Sequence, residues 1–301
     1  MRKVPLDVGA TCPNRDGTLS LQGCSFCNEH GSGSGLFGRG VDLEGQWRSW
    51  ILGQPDKQGL FLAYLQSFSN THCSLERLRD VLCRITALPK LVGLAIGTRP
   101  DCLDEDKLDL LASLDVHELW LDLGLQSSCN ATLKRINRGH SAEDFARSVH
   151  QAAGRGIKVC AHLIAGLPGE GADEFAASVD FVNALPVAGI KLHNLYLCKG
   201  TPLEAEYRRG SYEPLGFEDY AEFLAHALPR LRPDMVVHRL ASDPAHGELA
   251  APAWASDKLK VLNRLARIMT RANLWQGKAA GAGDRIPPWF RAEAPLPPSL
   301  A

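Results

Sequence analysis

Short apolar runs recur along the chain, and segments with helical periodicity separate them. The runs are hydrophobic at consecutive rather than alternating positions, which is typical of strands covered on both faces. Strands are predicted over residues 3–8, 61–68, 91–98, 118–126, 158–167 and 189–197. Helices are predicted over residues 74–87, 104–114, 141–154 and 172–184, with Ser74 and Ser141 as N-caps and Asp144 completing a capping box.

These repeated β-α units predict an α/β fold of parallel strands, either a barrel or an open sheet. Polar residues fall at the carboxyl ends of all six predicted strands, where enzymes of this architecture hold their chemistry. One such residue is more often a satisfied core group, whereas a full set favours a functional site. The set comprises Gln66, Asn70, Thr71, Thr98, Arg99, Asp101, Asp122, Gln126, Ser127, His162, Lys191 and His193.

The composition is that of a globular enzyme. Hydrophobic residues make up 45% of the chain, charged residues 22%, and the net charge is −1. Such a balance gives no global attraction to nucleic acid or to an anionic membrane. No apolar run reaches the ~18 residues that cross a bilayer. Unpaired cysteines without an export signal predict the cytoplasm and no membrane partner.

Three cysteines near the N-terminus carry the most specific chemical signal. Cys12, Cys24 and Cys27 have the spacing C-x11-C-x2-C. Three thiolates can hold three irons of a cubane cluster and leave the fourth iron open to a ligand. The residues alone also allow a zinc site completed by His30. A disulfide framework is disfavoured, because nine cysteines are an odd number spread over 301 residues.

Several motifs together carry a family resemblance. They are CPNRDG, GCSFCN, GTRPDCL, LDLGLQSS, LKRINRGH, KVCAHLIAGLPGE, GIKLHNLYLCKGTPL and VVHRL. In this order and approximate spacing they resemble the bacterial YhcC/YtqA-like radical SAM proteins. That family is itself similar to the elongator-type tRNA wobble-uridine radical SAM enzymes, which share the LGLQS, INRGH and GLPGE blocks.

The resemblance implies a partial (β/α)6 TIM-like barrel with a [4Fe-4S] cluster on Cys12, Cys24 and Cys27. S-adenosylmethionine would bind the open iron and be cleaved to a 5′-deoxyadenosyl radical after an electron arrives from a donor such as flavodoxin or ferredoxin. The expected organisation is a core barrel with its cluster loop over residues 1–200. A helical and β extension packed on the barrel would follow over 201–277, and a flexible tail over 278–301.

The resemblance also implies contacts to S-adenosylmethionine. Residues 66–71, with Gln66, Asn70 and Thr71, would meet its methionine moiety. Asp122, Gln126 and Ser127 would approach the ribose and carboxylate. His162 and the loop from Gly166 to Glu170 would line the adenosine. Gly166 and Gly169 have an alternative role in a plain turn, and His162 as a buried histidine bonded to backbone.

The chain departs from the family pattern in four places. Relatives carry a longer segment before Lys3, so a shortened N-terminus is expected. Gln22 stands where relatives have glycine, which asks for a less permissive backbone beside Cys24. Asp122 replaces a glutamate and shortens its reach by one methylene. Residues 242–247 also differ, in a region expected to face the substrate.

The substrate is less well defined than the cofactor. A predicted helix over residues 257–272 carries Lys260, Arg264, Arg267 and Arg271 on one face, either a solvated face or a phosphate-binding surface for RNA. Similarity to the wobble-uridine enzymes favours tRNA as partner. The alternatives are a radical SAM enzyme for a small metabolite or a protein, and a non-catalytic iron-sulfur sensor or scaffold. The other six cysteines are interpreted as buried hydrophobes.

Overall fold

The strands of the computed structural model, which describes residues 2–29, 31, 35–53 and 59–281, form one main sheet and one short pair. In the described ranges, seven strands follow the order β1-β2-β3-β4-β5-β6-β8, and β7 pairs with β9. The strands are β1 (Arg2–Leu6), β2 (Phe61–Leu65), β3 (Leu91–Thr98), β4 (Glu118–Gln126), β5 (Lys158–Ala165), β6 (Gly189–Asn194), β7 (Leu197–Cys198), β8 (Val236–Arg239) and β9 (Leu249–Ala251).

The strand order identifies the fold class. The pairs β1–β2, β2–β3, β3–β4 and β6–β8 are parallel. Neighbours follow chain order from β1 through β6. A doubly wound sheet would instead reverse its order at a switch point. The predicted α/β class, with the strand order of a partial (β/α)6 barrel, is confirmed.

The helices lie between the strands where the periodicity predicts them. Ser74 and Ser141 accept hydrogen bonds as N-caps, and Asp144 completes the capping box at Ser141. No helix of the described residues is long and apolar enough to span a bilayer. The helices are α1 (Leu43–Leu52), α2 (Leu75–Thr86), α3 (Glu105–Ala112), α4 (Asn130–Arg135), α5 (Ala142–Gly154), α6 (Ala172–Asn183), α7 (Pro202–Arg208), α8 (Phe217–Ala227) and α9 (Lys258–Arg271).

The chain divides into two compact units, each with its own apolar core. The first comprises Met1–Leu125 and Asn137–Ala161, and the second Gln126–Ile136 and His162–Ala301. In the first unit, every residue of β2 is buried. In the second, Tyr220 of α8 stacks on Trp254 with ring centroids 5.4 Å apart. The boundaries predicted at residues 200 and 277 stay predictions, and most of the predicted tail, residues 282–301, lies outside the described residues.

Strand ends differ from prediction where the backbone turns into the loops after the strands. β3 and β4 have the predicted bounds, whereas β2 stops at Leu65 and β5 at Ala165. Residues 66–71 leave the sheet because Asn70 binds the carbonyls at its edge. The pattern missed β8, a four-residue strand with no buried position. A short, half-exposed edge strand has no continuous apolar run to reveal it.

Replacing a core aromatic of α5 tests how the first unit is stabilised. Phe145 is fully buried, and Phe145→Ala removes its ring and leaves a cavity in the core. We expect the free energy of unfolding to fall by about 3–5 kcal/mol. His150→Ala, at an exposed position of the same helix, should change it by less than ~0.5 kcal/mol. Equal effects in chemical denaturation would contradict this packing.

Candidate functional site

The loop after β1 that carries Cys12, Cys24 and Cys27, which we call the cysteine loop, is stabilised by hydrogen bonds within its own backbone. Arg15 N–H donates to the Cys12 carbonyl at 2.7 Å, and Gly23 N–H donates to the Asn14 carbonyl at 2.7 Å. Gly23 has φ +72°, a conformation that glycine adopts without strain. The backbone of Gln22 does not have a positive φ. The left-handed turn beside Cys24 is therefore made by Gly23, and a glutamine at position 22 is tolerated.

The three predicted ligands lie close enough to influence one another. All three are free thiols, and Cys24 is buried. Burial, together with the neighbouring Cys24 and Cys12, raises the pKa of the Cys27 thiol to about 11 against the opposing cation of Arg15. Because such Coulombic effects act over short range, the fold brings the cysteine triad together. His30, the fourth ligand of the zinc alternative, lies outside the described residues.

A segment far along the chain closes on this loop. Residues 137–140, which we call the clasp, follow α4. Asn137 Nδ2 donates to the Gly23 carbonyl at 2.7 Å. In return, Asn14 Nδ2 donates to the carbonyls of Asn137 at 2.6 Å and Arg138 at 3.1 Å. The clasp and the cysteine loop thus share a reciprocal hydrogen-bond network.

Two buried donors of this network reach a cysteine sulfur. Asn14 Nδ2 lies 3.7 Å from Cys24 Sγ, and Arg138 Nη1 lies 3.8 Å from it. Arg138 Nη2 also donates to the Gly124 carbonyl in β4 at 2.6 Å. The guanidinium is thereby fixed between the sheet and the thiol. A buried cation therefore lies beside the Cys24 sulfur.

The polar residues that follow β3 are hydrogen-bonded to the clasp. Arg99 donates through Nη1 to the Arg138 carbonyl at 2.7 Å, and through Nε and Nη2 to Asp101 at 2.9 and 2.6 Å. Burial lowers the pKa of Arg99, but the Asp101 carboxylate outweighs it and leaves the pKa raised. Arg99 and Asp101, both predicted as strand-end polar residues, therefore form an ion pair between a buried guanidinium and a carboxylate that reaches the surface.

The loop after β2 is tied to the same region. Asn70 Nδ2 donates to the carbonyls of Leu65 and Gly97 at 3.1 and 2.8 Å, while its Oδ1 is buried without a hydrogen-bond partner among the described residues. The hydroxyls of Thr71 and Thr98 lie 2.6 Å apart. Asn70 and Thr71 thus shape the loop, and a cofactor contact by them or by Gln66 stays a prediction.

The end of β4 combines a buried carboxylate with a strained backbone. Asp122 is 1% exposed, and its carboxylate and the Cys160 thiol lie within 4.8 Å of each other. Gln126, the last residue of β4, has φ +81°, which is costly for a residue with a side chain. Such strained backbone is concentrated at functional sites. The contact of Gln126 with the cofactor stays a prediction.

Within the second unit, the predicted cofactor residues already have protein partners. Ser127 Oγ donates to Glu170, and burial raises the pKa of that carboxyl although the serine opposes the shift. Tyr212 OH donates to the Gly166 carbonyl at 2.6 Å. A Cβ on Gly166 would lie 2.9 Å from Leu215, so this position requires glycine.

Two histidines of the second unit lie side by side. The rings of His162 and His193 have centroids 5.3 Å apart. His193 Nδ1 is hydrogen-bonded to Ser242 Oγ, and Ser242 N–H donates to Asn194 Oδ1 at 2.7 Å. Ser242 belongs to residues 242–247, the segment expected to differ from the family, and it orients His193. The sequence analysis predicted both histidines as candidate site residues but not the hydrogen bonds that join His193, Ser242 and Asn194.

The basic face of α9 is partly neutralised. Arg264 Nε lies 2.5 Å from Glu218 Oε2, and Lys260 Nζ lies 4.8 Å from the centroid of the Phe217 ring. Arg267 lines a cavity of about 470 Å³ beside them. The helix therefore presents a weaker positive surface than its sequence suggests.

Comparison with known families agrees with this arrangement. The model described as Radical SAM superfamily matches residues 12–182, starting at the first cysteine of the triad. The model described as Radical_SAM C-terminal domain matches residues 187–271. The "Uncharacterized protein YtqA" of Bacillus subtilis (strain 168) is 39% identical over 279 residues, 92% of this chain and 87% of the relative. The predicted family resemblance is confirmed.

Two further comparisons involve more distant proteins. The "tRNA uridine(34) acetyltransferase" of Methanocaldococcus infernus is 30% identical over 149 residues, 47% of this chain and 27% of that protein. A solved structure of Elp3 from the same archaeon, with residues 1–46 deleted, superposes with a TM-score of 0.70 at 19% identity. It covers 91% of this chain and 64% of that one, and shows a shared fold.

Gly139 tests the fit between the clasp and the cysteine loop. It has φ +80°, and a Cβ there would lie 2.7 Å from Asn14 Oδ1. We expect Gly139→Ala to lower the free energy of unfolding by at least about 1–2 kcal/mol, the cost of the left-handed conformation for alanine. Gly154→Ala is the control, because nothing lies within 4 Å of its Cβ position. Equal denaturation midpoints for the two variants would contradict the contact.

Proposed function

The chain belongs to the radical SAM superfamily and is an enzyme of that class, and we propose that Cys12, Cys24 and Cys27 hold its [4Fe-4S] cluster. When bound, the cluster supplies an electron that cleaves S-adenosylmethionine, and the resulting 5′-deoxyadenosyl radical abstracts hydrogen from the substrate. The observation that carries this assignment is the free, mutually close cysteine triad with two N–H donors at the Cys24 sulfur. Thiolates with such donors suit an iron-sulfur cluster.

The residues proposed for S-adenosylmethionine follow the strand ends. Gln66, Asn70 and Thr71 belong to the loop after β2, and Asp122, Gln126 and Ser127 to the end of β4. His162 and Gly166 lie in and just after β5. The buried carboxylate of Asp122 can accept hydrogen bonds from hydroxyl groups such as those of a ribose. The positive φ of Gly166 and its tight fit against Leu215 set the path of the loop proposed to pass the adenosine.

The proposed substrate is tRNA, with a wobble uridine as the modified base. The relative named a tRNA uridine(34) acetyltransferase and the Elp3-like fold support this choice. A uridine in a single-stranded loop can be unstacked and held in a pocket. The shared INRGH block carries no weight here, because in this protein it contacts the cysteine loop. A small metabolite is the second candidate, favoured by the internal ion pair of Arg264.

The proposed reaction also needs an electron donor. A flavodoxin or a ferredoxin suits the low potential of such clusters. The nine free thiols suit the reducing cytoplasm, which is the proposed location.

Removing single cysteines tests the ligand assignment. Cys12→Ala, Cys24→Ala and Cys27→Ala should each abolish the cluster, because each removes one iron ligand. Cys73→Ala and Cys83→Ala are matched controls outside the triad. After anaerobic reconstitution, the parent protein and the controls should contain about four irons and four sulfides per chain. Stoichiometric zinc without iron in the parent would instead support the tetrahedral zinc site.

Charge reversal on α9 tests the tRNA proposal. Arg267 forms no ion pair among the described residues and lines the cavity beside α9. We therefore expect Arg267→Glu to weaken tRNA binding and to make the slope of log K against log salt shallower by about 1 unit. Arg79→Glu, at an exposed position of α2, makes the same change of charge elsewhere. Affinities should be measured over a range of salt concentrations.

The nucleosides of tRNA decide between the two substrate classes. We expect the wobble nucleosides of a deletion strain to differ from those of its parent. Identical nucleosides, together with unchanged affinity in Arg267→Glu, would favour the small metabolite and leave α9 as a solvated face.

A further inference from the structure

Cys24 differs from its two partners in the donors that surround its sulfur. Asn14 Nδ2 and Arg138 Nη1 lie 3.7 and 3.8 Å from Cys24 Sγ. Both donor residues are buried, Asn14 at 1% and Arg138 at 7% exposure. The Cys27 thiol instead lies 3.6 Å from the carbonyl of its neighbour Asn28. Among the described residues, Cys24 thus has two buried N–H donors at its sulfur, whereas the cation that acts on the Cys27 thiol is Arg15.

These donors are fixed by backbone from elsewhere in the first unit. The Asn14 amide is held by the carbonyls of Asn137 and Arg138. The Arg138 guanidinium is held by the Gly124 carbonyl at 2.6 Å, while Arg99 binds the Arg138 carbonyl. Because these contacts preorganise both side chains, no ordering cost remains when the sulfur gains negative charge.

Arg138 also has donor capacity to spare. Its Nε is buried and has no hydrogen-bond partner among the described residues. Burying a guanidinium N–H without a partner is costly, so such a group is normally matched by an anion. The same guanidinium lies beside Cys24, whose sulfur would carry negative charge as a cluster ligand.

We propose that Asn14 and Arg138 are positioning residues that raise the reduction potential of the cluster held at Cys24. This inference rests on the proposed function. Hydrogen bonds and a positive charge at a ligand sulfur withdraw negative charge from the cluster, which favours its reduced form. The clasp then has two effects: it fixes the cysteine loop, and it makes the cluster easier to reduce by its electron donor.

The test is a redox titration of the reconstituted protein, followed by electron paramagnetic resonance. Arg138→Gln should lower the equilibrium constant for reduction about tenfold, the size of one charged hydrogen bond, which is about 59 mV for one electron. Arg138→Lys keeps the positive charge but loses the planar set of guanidinium donors. We therefore expect the equilibrium constant for reduction to fall by a smaller factor, about threefold. Arg135→Gln removes the same charge from an exposed ion pair with Glu206 and should leave the potential unchanged.

Each outcome has a distinct meaning. An unchanged potential in Arg138→Gln with full iron content would overturn the inference, and so would an equal shift in Arg135→Gln. If both Arg138 variants fail to retain iron that the parent protein retains, the clasp serves assembly and not the potential. If the parent protein itself binds no cluster, the proposed function fails, and this inference, which rests on it, fails with it.

Discussion

The amide of Asn14 is the contact on which the arrangement of the site depends. It lies two residues after Cys12 and donates to two carbonyls of the clasp and toward the Cys24 sulfur. A polar group that is 1% exposed must satisfy its donors inside the protein, and here the fold supplies all of them from the clasp and the thiol. The cysteine loop is therefore fixed by its own backbone and also by residues more than one hundred positions away.

The sequence predicted the framework well because the framework depends on local patterns. Continuous apolar runs located β3 and β4 to the residue, and Ser141 with Asp144 located the start of α5. The edge strand β8 escaped because no apolar run marks it. The roles of Asn14 and Arg138 escaped for a different reason. Each is an ordinary polar residue until the fold places it against Cys24, and no spacing rule connects positions 14, 24 and 138.

That placement changes what the shared motif says about substrate. The INRGH block suggested a common tRNA chemistry with the wobble-uridine enzymes while its location was unknown. In the structure its polar residues bind Gly23, Gly124 and the Cys24 sulfur. A block that packs against the proposed cluster ligands could be shared by enzymes with different substrates. Its presence therefore gives no information about the substrate of this protein.

Within the second unit, the histidine pair has a defined arrangement. Ser242, in the segment expected to differ from the family, is hydrogen-bonded to His193 and is itself fixed by Asn194. A histidine whose Nδ1 is engaged presents its other nitrogen in a defined direction. On α9, by contrast, Arg264 and Lys260 are already engaged by Glu218 and Phe217. The physical basis for selecting a substrate is therefore stronger at the carboxyl end of β6 than on the helix whose charges first suggested RNA.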